Sequence, residues 1–324
     1  MKKKKPHPYK YLKFKGCFGS LPENTRVQQR FISPMDLLGV DDETVFKTMA
    51  DAFKEVLNDP DIILDLRKVK RVTIMGGLLL KAFFDEFILK FQKRPRMRSP
   101  SHKKIRAILN YLGIRNYQEV KRDRYPDLEC WQILSWDHTQ TDIEFGKLLD
   151  TEVIPKCWKG DHAISKHSSS IATSVAETLL NCKEHAYTGE KENSLFKRWY
   201  LGVGEYPNTH KFSFCIYDKG IGIKARLQAN PTGWLDSLFD KNRSDSSMIE
   251  LATQGRRVAV NDGRGQGLKS AIELLEKNHG QIDIYSDFGY FSSHDEKSGR
   301  DRGVRLEGTF VSFSFPVEYS KDSI

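Results

Sequence analysis

Residues 177–187 read ETLLNCKEHAY. Glu177, Asn181 and His185 recur at every fourth position, which places them on one face of a helix. A solvated helix face normally carries interchangeable Lys and Glu. A carboxylate, an amide and an imidazole in one row mark a site, although the row alone leaves its chemistry open. Ile171, Val175, Leu179 and Cys182 keep the spacing of a core-facing stripe. The pattern predicts a helix over 170–187, with Ser168, Ser169 and Ser170 as candidate N-caps. The polar row lies well round from its core face.

Toward the C-terminus, residues 199–203 and 211–217 have strand character. The second run leads straight into DKGIGI, residues 218–223. Residues 224–262 are polar and rich in Ser, Asp, Asn and Arg, and so long a segment is rarely a mere connector. GRGQGL, residues 263–268, then opens a helix that continues through KSAIELLEKNHG. QIDIYS, residues 281–286, reads as a strand. A polar segment, 292–307, separates it from GTFVSFSFP, an alternating final strand over 308–316.

Toward the N-terminus the pattern is alternating helix and strand. Residues 42–58 form an amphipathic helix capped by Asp41 or Asp42 and ended by Asn58-Asp59-Pro60. Residues 62–66 read as a short buried strand, and 76–91 as another helix. KRPRMRSPSHKK, residues 93–104, is a basic loop, and 103–112 a short helix stopped by Gly113. This predicts an α/β domain over 17–135. A basic flexible arm, 1–16, precedes it. A connector, 136–165, follows it, and 319–324 form a tail.

The chain has 324 residues, enough for two domains, and 39% of them are hydrophobic, so a core can be buried. Five scattered cysteines without a C-x-x-C pair suit a reduced, cytoplasmic protein with neither disulfide frame nor zinc site. No apolar stretch follows the N-terminal lysines, and no run is long enough to span a bilayer, so neither a secretory leader nor a membrane contact is expected. The net charge of +9 is uneven: residues 1–130 carry 28 Lys and Arg against 16 Asp and Glu, whereas residues 131–324 carry 24 against 27. The basic half can meet nucleic acid or another acidic partner, or can simply be a Lys-rich surface.

Taken in order, ETLLNCKEHAY, DKGIGI, GRGQGL and GTFVSFSFP resemble the ATP-binding domain of the GHKL superfamily, which joins gyrase, a heat-shock chaperone family, histidine kinases and MutL proteins. The wording is nearest to the histidine kinases: ETLLNCKEHAY looks like their N box, and DKGIGI and GRGQGL like their two glycine boxes. The resemblance spans 166–318. It implies a two-layer α/β sandwich of Bergerat type, an α+β arrangement, binding ATP with Mg2+. Asp218 would accept from the adenine amine, since a carboxylate is acceptor-only. Gly220 and Gly222 would let the backbone pass close to the base, and Ile223 of the same box would contact the nucleotide. Thr309 matches a threonine near the adenine. Asn181 would offer an oxygen to Mg2+, and Glu177 would act on the attacking water or hydroxyl. His185 would either support that shell or touch phosphate. Gly263, Gly265, Gly267 and Leu268 would present a helix N-terminus to phosphate. Arg256 and Arg257 would neutralise it from a lid formed by the long polar segment.

His162 and His167 lack the helical hairpin of a histidine-kinase phosphoacceptor, so autophosphorylation there is not expected. The N-terminal half resembles, more loosely, a STAS domain through DIILDLRKVKRVTIMGGLLLKAFF and HKKIRAILNYLGI. Gly76 stands where such domains carry a phosphorylatable Ser, and Thr73 is the nearest hydroxyl. The expected activity is slow ATP hydrolysis coupled to a change of protein partner or self-association. The alternatives are phosphorylation of a partner protein, or an ATP-gated module binding nucleic acid or protein.

Overall fold

The computed structural model of the protein describes residues 31–32, 43–111, 114, 132–137, 168–189, 194, 196–206, 211–229, 243–254, 267–277, 279–294 and 299–316. The chain is mixed α/β. Its first periodic stretch forms α1 (Glu43–Asn58), which buries Phe46, Met49, Ala52, Phe53 and Val56. The short apolar run becomes β2 (Ile63–Asp65), the centre of a parallel three-stranded sheet between β1 (Phe31–Ile32) and β3 (Met97–Arg98). Between β2 and β3 the chain crosses over through α2 (Ile74–Phe91). This helix starts two residues before its expected beginning because Thr73 caps it, its hydroxyl accepting from the Gly76 N–H at 3.1 Å. Thr73, the hydroxyl nearest Gly76, is therefore a structural cap. α3 (Lys103–Tyr111) follows β3.

A second, antiparallel sheet has five strands in the order β4-β5-β6-β8-β7. They are β4 (Gln132–Asp137), β5 (Arg198–Tyr206), β6 (Lys211–Asp218), β7 (Gln281–Ser292) and β8 (Gly299–Pro316). β4 straddles the expected boundary between the α/β domain, 17–135, and the connector, 136–165, and it pairs with β5 from Gln132↔Val203 to Asp137↔Arg198. β8 begins well inside the segment read as a polar separator. Its first residues lengthen a hairpin with β7, as in the pairs Gly289↔Asp301 and Tyr290↔Arg300.

One face of this sheet packs on α4 (Ser168–Asn181) and α7 (Gly267–Lys277). Val175, Leu179, Ala271 and Leu275 meet Leu201, Phe214, Ile284 and Phe313 there. The other face is covered from the N-terminal half. Tyr200, Tyr217, Tyr285 and Phe310 share one core with Leu78, Phe83, Phe87 and Met49. β6 is accordingly buried along both faces from Phe212 to Asp218. α2 explains its own composition: Leu78 through Phe84 are buried apart from Lys81, as befits a helix enclosed on more than one side. At Gly202 of β5 an added Cβ would lie 2.6 Å from Ile74 Cγ2, so the helix approaches the sheet where a side chain is missing. Among the described residues, no helix is long and apolar enough to cross a membrane.

Two expectations need correction. Ser168, Ser169 and Ser170 lie within the first turn of α4 rather than at its cap. The polar segment 224–262 is not all loop: it contains most of α5 (Ile223–Ala229) and all of α6 (Asp245–Thr253). α6 is fastened to the β7–β8 hairpin. Asp245 accepts from Phe288 N at 3.0 Å, Asp301 from Ser246 N at 2.8 Å and Glu250 from Gly299 N at 2.6 Å. These bonds make α6 part of the framework.

Candidate functional site

The helix that opens the site does not run to 187 as an α-helix. α4 ends at Asn181, and Cys182–Ala186 form one π-helical turn. A π turn is wider than an α turn, so His185 is rotated away from the row that Glu177 and Asn181 hold. All three side chains are half-buried, whereas Val175, Leu179 and Cys182 are buried on the core side. The division into a polar row and a core stripe therefore survives, with His185 displaced within it.

The π turn is shaped by what it receives. Its Ala186 carbonyl accepts from Ile221 N at 2.8 Å, and Gly220 lies directly against it. A Cβ on Gly220 would stand 2.3 Å from that oxygen, a distance no side chain tolerates. The DKGIGI loop is thus seated on the end of ETLLNCKEHAY.

Asp218 ends β6 and is only 3% exposed. Its Oδ1 accepts from Gly220 N at 2.8 Å, and its Oδ2 from the Cys182 thiol at 3.3 Å. Burial raises its pKa from 3.8 to about 6, although hydrogen bonds from Gly220, Cys182 and the Thr309 backbone pull the other way. Burial, with Asp218 beside it, likewise pushes the Cys182 thiol well up, so this sulfur is a neutral donor.

The loop closes against β7 and β8. Gly222 adopts φ +83°, and a Cβ there would meet Asp287 Oδ2 at 2.3 Å. Ser286 Oγ accepts from Ile223 N at 2.9 Å and donates to the Gly308 carbonyl at 3.2 Å. The same hydroxyl lies 3.4 Å from Thr309 Oγ1. Thr309 pairs in register with Asp218 across the sheet, and Gly308 passes over the Asp218 carbonyl. Asp218, Gly220, Gly222, Ile223 and Thr309 are therefore in one connected set with the turn that follows Asn181. Leu268, in the first turn of α7, packs against the same core as Ile223. Gly267 is the first residue of α7, so the glycine box does open a helix. Arg256, Arg257, Gly263 and Gly265 lie outside the described residues.

Three participants were not singled out from sequence. Cys182 and Tyr187 both stand in the opening stretch, but the spacing marks Cys182 only as part of the core-facing stripe and gives Tyr187 no role. Tyr187 is buried, and its hydroxyl accepts from Arg198 N at 3.0 Å and from Lys219 N at 3.2 Å while donating to the Arg198 carbonyl. Burial, then the charge of Asp218, raises its pKa well above the ordinary tyrosine value, so it stays protonated. Lys219 is the third. Its ammonium points away from Asp218 and is held by Glu86 of α2 and by Glu307 at 2.9 Å. Burial works against that charge, but Glu307 and Glu86 outweigh it and raise the pKa above the usual lysine value.

Lys219 thus ties the glycine loop to the N-terminal half. Lys219→Met is expected to destabilise the protein by about 1–2 kcal/mol, because a buried cation is lost to two carboxylates that water still reaches in part. Urea unfolding measures this, and a midpoint equal to that of wild type counts against the tie.

No protein-family model and no curated protein matches the chain. The functional reading therefore stands on the geometry and on the sequence resemblance.

Proposed function

We propose that the protein binds ATP at the junction of ETLLNCKEHAY, DKGIGI and the β7–β8 strands, and hydrolyses it slowly as a conformational or partner switch. The observation that carries this reading is Asp218. A buried carboxylate whose oxygens meet an amide and a thiol, both neutral, is costly to keep ionised, and such groups collect at functional sites. It retains lone pairs for a further donor, and the exocyclic amine of adenine is such a donor. The glycines beside it let the loop seat closely on Ala186 and Asp287, which fixes Asp218 at the end of β6.

The remaining roles come from the GHKL resemblance, supported by placement. Glu177 and Asn181 lie one turn apart on the half-buried side of α4. In this reading Glu177 takes a proton from the attacking water, and the γ-phosphoryl passes to that water with ADP leaving. Asn181 would hold Mg2+, which supplies charge neutralisation when bound. Among the described residues no group of three or more His, Cys, Asp or Glu is placed to cage a metal. One amide oxygen fits Mg2+ nonetheless, since this ion is usually shared between one or two protein ligands, water and the nucleotide phosphates. The first turn of α7 would face phosphate. The Bergerat arrangement of the C-terminal half and the STAS likeness of the N-terminal half belong to the same proposal.

The test is calorimetric titration of ATP, ADP and GTP into the purified protein with Mg2+, together with phosphate release. Glu177→Ala is expected to keep ATP affinity within about threefold while turnover falls about 100-fold or more. Absence of ATP binding at millimolar concentration overturns the reading. Unchanged turnover in Glu177→Ala removes that residue as the base.

A further inference from the structure

The parallel sheet carries a feature that the nucleotide reading does not use. Two segments free of Asp and Glu meet at its edge: residues 66–73 leave β2 at its C-terminal end, while residues 92–106 run along the edge strand β3 and leave it at that same end. The first holds Arg67, Lys68, Lys70 and Arg71. The second holds Arg94, Arg96 and Arg98, then Lys103, Lys104 and Arg106. Topology brings them together. β2 and β3 run parallel with Asp65 opposite Arg98, so the 66–73 loop and the approach to α3 emerge side by side. The Ser101 N–H donates to the Arg67 carbonyl at 3.4 Å, which joins the two loops directly.

The arrangement within this edge is regular. Arg94, Arg96 and Arg98 occupy alternate positions of extended chain ending in β3, with Pro95 buried between the first two. Alternate residues of a strand project to one side, roughly 6.6 Å apart. That step is comparable with the spacing of successive phosphates along one nucleic-acid strand. Asp65, 5% exposed, accepts from Arg67 at 2.6 Å and lies 3.9 Å from Arg98. One buried carboxylate therefore orients two guanidinium groups, and Arg96 lies 3.8 Å from the exposed Asp61, so the Arg and Lys side chains of the edge outnumber the carboxylates beside them. Arg67 keeps a side-chain exposure of 54% and Arg96 of 52%. The nine-residue α3 begins at Lys103 beside these loops, and its N-terminal N–H groups add to the attraction for anions.

We propose that this edge of the parallel sheet is a sequence-independent binding surface for the phosphate backbone of nucleic acid. Planar guanidinium groups at strand spacing suit phosphates in series better than they suit a single small anion. The inference is independent of ATP binding and stands or falls separately from it.

The experiment is fluorescence anisotropy with labelled 20-nucleotide single-stranded and duplex DNA and RNA of mixed sequence, titrated with the full chain across a salt series. Wild type is expected to bind, with affinity falling linearly in log–log form against salt. Lys68→Glu/Arg96→Glu/Lys103→Glu avoids the Asp65 pairs. It is expected to weaken binding about tenfold or more and to reduce the salt slope by about three. Should the triple reversal fail to fold by circular dichroism, the Lys68→Gln/Arg96→Gln/Lys103→Gln variant is expected to show the same slope change. Phosphatidylserine vesicles and polyglutamate serve as competing anions. The inference is overturned by no binding at 50 mM salt, by a variant that binds like wild type, or by tighter binding to either competitor than to nucleic acid.

Discussion

Asp218→Asn is expected to weaken the proposed ATP binding about 100-fold and, at neutral pH, to make the unliganded protein more stable. The two effects have one origin. In the folded protein burial lifts the carboxyl pKa to about 6 from 3.8. A group whose folded pKa is raised contributes stability that is fully present below 3.8 and lost as the pH rises through about 6. Above that window wild type carries an ionised, desolvated carboxylate, at a cost of about 3 kcal/mol. Asparagine keeps the Gly220 hydrogen bond and carries no charge, and the Cys182 sulfur can turn from donor to acceptor. Some of the gain is offset by the weaker bond to sulfur, leaving about 1–3 kcal/mol at pH 7.5. The gain should shrink steadily below pH 6 and vanish near pH 4.

Binding moves the opposite way. The adenine amine needs an acceptor with lone pairs to spare, and the carboxamide offers one oxygen and two unwanted donors. A loss of about 100-fold in affinity is expected, since a site built for a hydrogen bond discriminates strongly once a donor faces a donor. Scanning calorimetry at pH 7.5 and 4.5, with ATP titration at pH 7.5, separates the two readouts. A variant that binds ATP like wild type removes Asp218 from the base pocket. A variant that gains no stability at pH 7.5 shows that the carboxylate is not the desolvated group its burial implies.

Gly220→Ala should be among the most damaging small substitutions. The added Cβ would lie 2.3 Å from the Ala186 carbonyl oxygen and 2.5 Å from the Ala186 Cβ. Both are held in place: Ala186 closes the π turn, and its oxygen is bonded to Ile221 N. Neither can yield by rotating a side chain, so the loop must lift away. Lifting it breaks the Gly220 N–H bond to Asp218 and the Ile221 bond together. A loss of about 3–5 kcal/mol is expected, with a fall in Tm of order 10 °C. Gly189→Ala is the control. Gly189 has φ +57° and nothing within 4 Å of an added Cβ, so only the conformational cost of about 1 kcal/mol applies. Equal melting temperatures for the two variants would show that the loop does not rest on the π turn.

Much of this is local and therefore legible. α1, α3 and α7 follow from apolar periodicity, and β6 from its alternating aromatic run. Asp218 at a strand end before two glycines is readable because strand and turn preferences act over a few residues. The polar row on α4 is readable because residues four apart share a face whatever surrounds them. β8 is the opposite case. Its stretch from Gly299 to Arg305 is polar because each residue there is exposed or only half-buried, so no apolar alternation appears and periodicity alone marks it as loop.

What the amino-acid order determined by itself is the periodic helices, the apolar and alternating strands, and an acidic strand end among glycines. What only the tertiary structure decided is what that acid touches and what stands behind the sheet. The Cys182 thiol reaches Asp218 across 36 positions, and Lys219 reaches Glu86 across 133. Propensity and periodicity carry no information over such separations, because contacts of that range depend on how whole faces pack. The same reason places α2 against the second face of the five-stranded sheet: an apolar helix states that it will be buried, and only packing selects the partner that buries it.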